Sequence, residues 1–413
     1  MTGSREDRRK RHQQQRFQAP TSMRRALRGT FRAEDWSGAL WAMLALGVYL
    51  SASCLVTYPL CLQLRSVVGG SPSGKAYESV WTLWWGTKAI RSPDLSLSPV
   101  SLLNHPVGLD HPLLAARSTV ILFSLPLTAF LSPAATYNLQ LLLAPVLSGF
   151  AVYLLGTELT GSRAAGFVGG FVFGFSSSHL GDLAAGDIFI ASLHFVPIYA
   201  LFLRRTLDEP RLLTAFLTAG LLTLGCLTHP AHLGHVIIPA SAAILVPSAL
   251  SMREHFLNKR LVGALILILG ACTVMVCWVL PARRPATLDG GIRDQPMGAI
   301  ERSQDLLSFM TPSAENPVLK ALDLVPERAA LVASTASPPY AALAWPGIVA
   351  LLLAAIGLIS HRRRAWGWGA VALTALLLSL GPVLKIGERH FPFVPMLHAG
   401  PTPDHLVDAL MLS

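Results

Sequence analysis

Three carboxylates and a row of tryptophans are the residues of this chain best suited to chemistry. Tyr77-Glu78-Ser-Val-Trp81-Thr-Leu-Trp84-Trp85 sets one acid beside three indoles, and Trp81, Trp84, Trp85 and Ile90 recur near helical spacing. An indole ring is apolar but its N–H wants a polar partner. Such a row therefore suits a membrane interface, either as an anchor or as a lid over a lipid-linked substrate. Ser176-Ser-Ser-His179-Leu-Gly-Asp182-Leu-Ala-Ala-Gly-Asp187 places two acids and a histidine in a short loop between apolar blocks. Ionisable groups at that depth are costly and often mark function. Carboxylates with an open coordination sphere suit Mg2+ or Mn2+, and helix capping is the structural alternative. Asn104-His-Pro-Val-Gly-Leu-Asp110-His-Pro112 reads as an ordered turn in which Asp110 and His111 could meet a cation or a substrate. His229, His232 and His235 recur every three residues. Pro230 interrupts the helical face that a three-nitrogen metal site would need, so solvated interfacial histidines are expected.

These residues must be held by membrane helices. Of 413 residues, 52% are hydrophobic and 14% charged, where a soluble chain carries roughly a quarter charged. Apolar residues also come in long blocks, and a helix of about twenty residues crosses a hydrocarbon core of roughly 30 Å. The blocks are Gly38–Leu60, Tyr137–Leu155, Ala164–His179, Ile188–Leu203, Leu212–Leu227, Gly234–Leu250, Leu261–Leu280, Ala341–Ser360 and Trp366–Leu384. They predict an all-α polytopic membrane protein with about nine transmembrane helices and two large extracytoplasmic loops. Ser118–Leu131 is shorter, contains Pro126, and is expected to dip in and return.

Charge parity supports that arrangement. If Ser118–Leu131 does not cross, then Arg163, Arg204–Arg205, Arg253 with Lys259–Arg260, and Arg362–Arg363–Arg364 all share the side of the basic N-terminus. The opposite short loops near 181–187 and 229–235 hold no Lys or Arg. Orientation follows Lys and Arg in short loops, which puts the N-terminus in the cytoplasm. The expected regions are a basic cytoplasmic tail (1–35), an N-terminal core (36–280) including an outer loop (61–136), and a second outer loop (281–340). Two further helices (341–384) and an outer C-terminal segment (385–413) follow.

Net charge is +10, and residues 1–35 supply +6 of it with ten Lys or Arg against four acids. That tail fits anionic lipid headgroups, with no aromatic platform for nucleic acid. The five cysteines form no CxxC and read as small core residues. Gly166, Gly170 and Gly174 recur every four residues, a seam for close helix packing.

The chain resembles the GT-C superfamily of polytopic membrane glycosyltransferases, in particular its YfhO-like bacterial branch. The resemblance runs over Trp81-Thr-Leu-Trp-Trp, His105-Pro-Val-Gly-Leu-Asp110, Tyr137-Asn-Leu, Leu147-Ser-Gly-Phe-Ala-Val-Tyr153, Leu159-Thr-Gly-Ser, Phe195-Val-Pro-Ile-Tyr199 and Asp305-Leu-Leu-Ser-Phe-Met-Thr-Pro312. That last stretch reads as a helix end followed by a turn. The resemblance implies the plasma membrane of a bacterium, a site on the outer face and a polyprenyl-phosphate sugar as donor. It also implies an acidic residue acting as general base or helping to hold a divalent cation such as Mg or Mn. Glu78, Asp182 and Asp187 are the catalytic candidates; Trp81, Trp84, Trp85, Asp110 and His179 are the substrate-binding ones. Where the branch shows Gly-Asp ahead of the tryptophans, this chain has Gly74-Lys75, and a usual Gly-His appears as Gly186-Asp187. The chain also ends short of the usual family length. The alternative function is a non-catalytic protein that binds or moves lipid-linked glycans or supports envelope assembly. An ion-coupled transporter fits less well, because the spans hold almost no charges.

Overall fold

Lipid offers no hydrogen bonds to a bare backbone, and the described residues of this chain are mostly helical. The computed structural model describes residues 36–71, 75–97, 100–103, 105–106, 117–251, 258–282, 304–311, 323, 345–380, 383–386 and 389–392. In chain order the helices are α1 (Trp36–Val56), α2 (Lys75–Arg91), α3 (Ser118–Leu127), α4 (Pro133–Thr160), α5 (Arg163–Gly174), α6 (Ser177–Ala185), α7 (Ile188–Ala191), α8 (Phe195–Asp208), α9 (Leu212–Cys226), α10 (Ile238–Ser251), α11 (Lys259–Ala282), α12 (Ile348–Ser360) and α13 (Arg362–Ser379). A short antiparallel hairpin, β1 (Val383–Ile386) with β2 (Arg389–Pro392), pairs Lys385 with His390.

Among the described residues, five stretches are long and apolar enough to cross a membrane: Ser37–Val56, Pro133–Thr160, Ile188–Asp208, Leu233–Leu250 and Lys259–Cys277. Ser118–Leu127, Leu212–Cys226, Ile348–Ser360 and Ala365–Ser379 are apolar but shorter. Large apolar side chains stand exposed along several of these helices, among them Leu213 and Phe216, Ile266 and Leu269, Leu352 and Ile356, and Leu373 and Leu377. A belt of that extent marks a lipid-facing surface.

Several expected spans are cut differently. Ala164–His179 is not one helix. After Gly174 the chain extends at Ser176, whose hydroxyl accepts the His179 amide and starts α6. That cap stabilises a new helix start inside an apolar run. Ile188–Leu203 likewise breaks between α7 and α8. The block ending at Leu384 leaves helix at Ser379 and enters β1. Asp305 starts a 3-10 turn at Leu306–Phe309 by accepting the Leu307 amide at 2.7 Å, so it caps a beginning rather than an end.

The long helix α4, of 28 residues, is the axis of the core. Against it α5 packs with backbone nearly touching backbone: Gly174 faces the Pro145 carbonyl and Gly149 faces the Gly170 carbonyl. All three seam glycines are buried. Tyr49 of α1 donates to the Phe167 carbonyl at 2.7 Å and Ser53 to the Leu142 carbonyl at 2.6 Å, tying α1 to the same pair. A second apolar core joins Tyr199, Leu203, Leu222, Ile237 and Leu261 from α8, α9, the turn before α10, and α11.

The two ends of α4 differ in charge. At its Thr160 end, Arg205 donates to Glu158 at 3.0 Å and Arg163 to Ser37 at the start of α1 at 2.5 Å. At its Pro133 end stands α3, only ten residues long and thus about 15 Å. Thr119 at its start donates to the Leu227 carbonyl, Ser124 accepts from Gln140, and the chain enters α4 directly afterwards. Both ends of α3 therefore stay at the Pro133 end of α4.

Candidate functional site

Two glycines cross at the Pro133 end and bring the acidic residues together. Gly70 and Gly186 have φ of +94° and +77°, and a Cβ on Gly70 would lie 2.8 Å from Cα of Gly186. Only glycine combines that left-handed conformation with so close an approach. Around the crossing, Tyr137 donates its hydroxyl to the carbonyls of Gly69 and Gly186, at 2.9 and 3.1 Å, and Ser79 donates to Gly186 at 2.9 Å. Asn138 holds the same loop, donating to the Leu64 and Val67 carbonyls and accepting from the Gly69 amide. The start of α2 is thereby pressed against the junction between α6 and α7.

That junction assembles all three candidate carboxylates. Glu78 lies one turn into α2; its Oε1 accepts from Nη1 of Arg117 at 2.6 Å, and its Oε2 is 3.7 Å from Nζ of Lys75. Asp187 is buried, and its Oδ1 caps α7 by accepting the Phe189 and Ile190 amides at 3.2 and 3.3 Å. Its Oδ2 lies 4.0 Å from the same Lys75 ammonium. Asp182, in α6, has neither an ion pair nor a side-chain hydrogen bond among the described residues. Burial first, and the nearby Asp187 charge second, push its carboxyl up to about 7. A carboxylate titrating there can take a proton at neutral pH, as a general base must.

Arg117 was not singled out by sequence reasoning. It is almost fully buried, lies over the Phe189 ring at 4.6 Å, and its Nε has no partner among the described residues. A signal was present in the sequence: Arg117 directly abuts the apolar block Ser118–Leu131. Tyr137 and Ser79 are not marked out as site residues by the sequence and become visible as such only through the glycine crossing.

The tryptophans correct the surface reading. Trp85 is fully buried and stacks with Trp81, with ring centroids 6.5 Å apart and planes 3° from parallel. Trp84 carries Lys88 over its face at 5.0 Å. With Ala89, Val100 and Leu103 these rings form a small core of the loop itself. Trp85 therefore presents no surface to lipid, while Trp81 and Trp84 are half-buried. His179 is also buried, its Nε2 2.7 Å from the Ala191 carbonyl, where it braces the turn between α7 and α8. Asp110 and His111 lie outside the described residues.

The histidine triplet diverges. His232 is buried between the carbonyls of Ile190 and Gly225, rather than solvated as expected. His229 Nδ1 accepts the Ala231 amide, and His235 is exposed. No group of three or more His, Cys, Asp or Glu able to hold a metal ion occurs among the described residues. The carboxylate trio does not fit one either, because both oxygens of Glu78 and both of Asp187 already face a cation or an amide. No family model, curated protein or solved structure matches the chain.

Proposed function

We propose that this chain is a membrane glycosyltransferase of GT-C type that transfers a sugar from a polyprenyl-phosphate donor on the extracytoplasmic face of a bacterial plasma membrane. In this reading it crosses the bilayer about nine times, with the N-terminus and the Arg163–Arg205 end of α4 in the cytoplasm. The observation that carries the reading is the meeting of Glu78, Asp182 and Asp187 with Lys75 and Arg117 at the opposite end. Asp182 removes the proton of the acceptor hydroxyl. Lys75 is half exposed and lies beyond hydrogen-bond distance of its two carboxylates, which leaves its ammonium able to take an oxygen of the donor phosphate. Arg117 adds a fixed positive charge behind it. A lipid phosphate is already a workable leaving group, so positioning and charge stabilisation are the main tasks of the protein.

The test is transfer from a panel of labelled polyprenyl-phosphate sugars by membranes containing the protein. Asp182→Asn should lower turnover roughly 10²–10⁴-fold, the range for a lost general base, with thermal unfolding unchanged. Turnover indifferent to Asp182→Asn, Glu78→Gln and Asp187→Asn alike would discard the site. The engagement of Glu78 and Asp187 in ion pairs and a helix cap favours a second reading, a non-catalytic protein that binds or moves lipid-linked glycans. Retained binding of the lipid-linked sugar without transfer from any donor would select it.

A further inference from the structure

Two of the five cysteines meet where the chain leaves α1. After Val56 the backbone doubles back: the Tyr58 amide donates to the Leu55 carbonyl, Leu60 to Thr57 and Leu62 to Pro59. Those turns return Cys61 to the last turn of α1. Its thiol donates to the Cys54 carbonyl at 3.6 Å and lies within hydrogen-bonding reach of the Cys54 thiol. Neither residue is placed by a loose loop. Ser53, beside Cys54, donates to the Leu142 carbonyl of α4, and Leu60, beside Cys61, is buried in a core with Tyr137 and Leu141. Both cysteines are half-buried, and Leu55, Tyr58 and Leu62 around them are exposed. Cys226, by contrast, is fully buried in the apolar core of α8, α9 and α11, where a reactive thiolate forms poorly.

We propose that Cys54 and Cys61 are a modification site, closed as a disulfide by exchange with a disulfide-donating oxidoreductase of the extracytoplasmic compartment. The proposal takes from the proposed function only its orientation, which puts the end of α1 outside, where disulfides form and persist. One cysteine thiolate attacks a sulfur of the donor disulfide, giving a mixed disulfide and releasing the first donor thiolate. The other cysteine thiolate then attacks the protein sulfur and expels the second. The donor S–S bond breaks, the Cys54–Cys61 bond forms, and two electrons and two protons pass to the donor. The link makes covalent the point at which the chain departs α1 for the Gly70–Gly186 crossing, a segment that Asn138 already grips at Leu64, Val67 and Gly69.

The sequence makes the test direct, because cleavage after Arg32 and Arg65 yields a peptide, Ala33 to Arg65, that holds these two cysteines and no other. Cells expressing the full chain are quenched with acid and N-ethylmaleimide, and the purified protein is digested without reductant and weighed by mass spectrometry. The peptide should be recovered two hydrogens lighter than its dithiol form and without adducts, and should accept two maleimides after dithiothreitol. Cys61→Ser should return Cys54 as an adduct. Recovery of the wild-type peptide with two adducts, or of Cys54 joined to a different cysteine, would overturn the proposal. Orientation is read separately, by whether an impermeant maleimide labels Asp94→Cys from outside intact cells. Two adducts alongside that labelling mean that the pair itself does not close, whereas two adducts without it mean that the outward reading has failed as well.

Discussion

Asp182 and Asp187 are five residues apart and play different parts, because their surroundings differ. Asp187 spends its lone pairs on the amides that begin α7, while Asp182 has no such partner and is held near neutrality by burial and by its neighbour's charge. If Asp182 must be ionised to act, kcat/KM rises with pH through about 7, since the protonated form below that value cannot accept a proton. Asp187→Asn keeps a good helix cap but removes the like charge, which lowers the Asp182 pKa. The rising limb of the pH–rate profile should therefore move to lower pH in that variant, and a limb that stays in place would assign it to another group. At this scale the sequence was partly legible. The three acids and the departure at Lys75 stood out by type and position. Arg117, Tyr137 and Ser79 did not, because their roles come from contacts between segments 39 to 107 residues apart, such as Arg117 with Glu78 and Ser79 with Gly186.

At the scale of elements, the spacing of Gly166, Gly170 and Gly174 announced the α4–α5 seam, since residues four apart share a helix face. A side chain at Gly170 would meet the Gly149 carbonyl and the Tyr49 hydroxyl, whereas Gly220 in α9 has nothing within 4 Å of its would-be Cβ. Gly170→Leu should destabilise the protein by about 1–3 kcal/mol, the usual range for forced overpacking, and Gly220→Leu should be tolerated. Thermal unfolding in detergent measures both, and equal Tm values would remove the seam as a packing constraint. The breaks after Gly174 and at Ser192–His194 were not legible. Hydropathy counts Ser and Gly as weak interruptions, while a serine hydroxyl that caps a new helix redirects the chain. The inward tryptophans were missed for a related reason. Helical spacing told that α2 is a helix, and only packing on Ile121 and Val100 told which face is buried.

At the scale of the whole molecule, the two ends of α4 carry different charge. Arg163 and Arg205 gather at one end of α4, and the carboxylate site lies at the other. An impermeant maleimide applied to intact cells should label Asp94→Cys and spare Arg211→Cys, in a background where the native cysteines are serine. The reverse pattern would turn the site toward the cytoplasm and end the outward-facing reading. Composition made the membrane class plain, because blocks of apolar residues survive any detail of packing. The number of crossings was harder to read, since α9, α12 and α13 are shorter than a bilayer is thick.

The crossing at Gly70 and Gly186 ties the behaviour of the pocket to its construction. It works as a rivet between the segment ahead of α2 and the bundle, drawn tight by hydroxyls from Tyr137 and Ser79. A Cβ at Gly70 would lie 2.8 Å from Cα of Gly186, and one at Gly186 would lie 2.7 Å from Cβ of Ala76, so a side chain on either glycine would part the two segments. Beside that contact Lys75 keeps its ammonium half exposed.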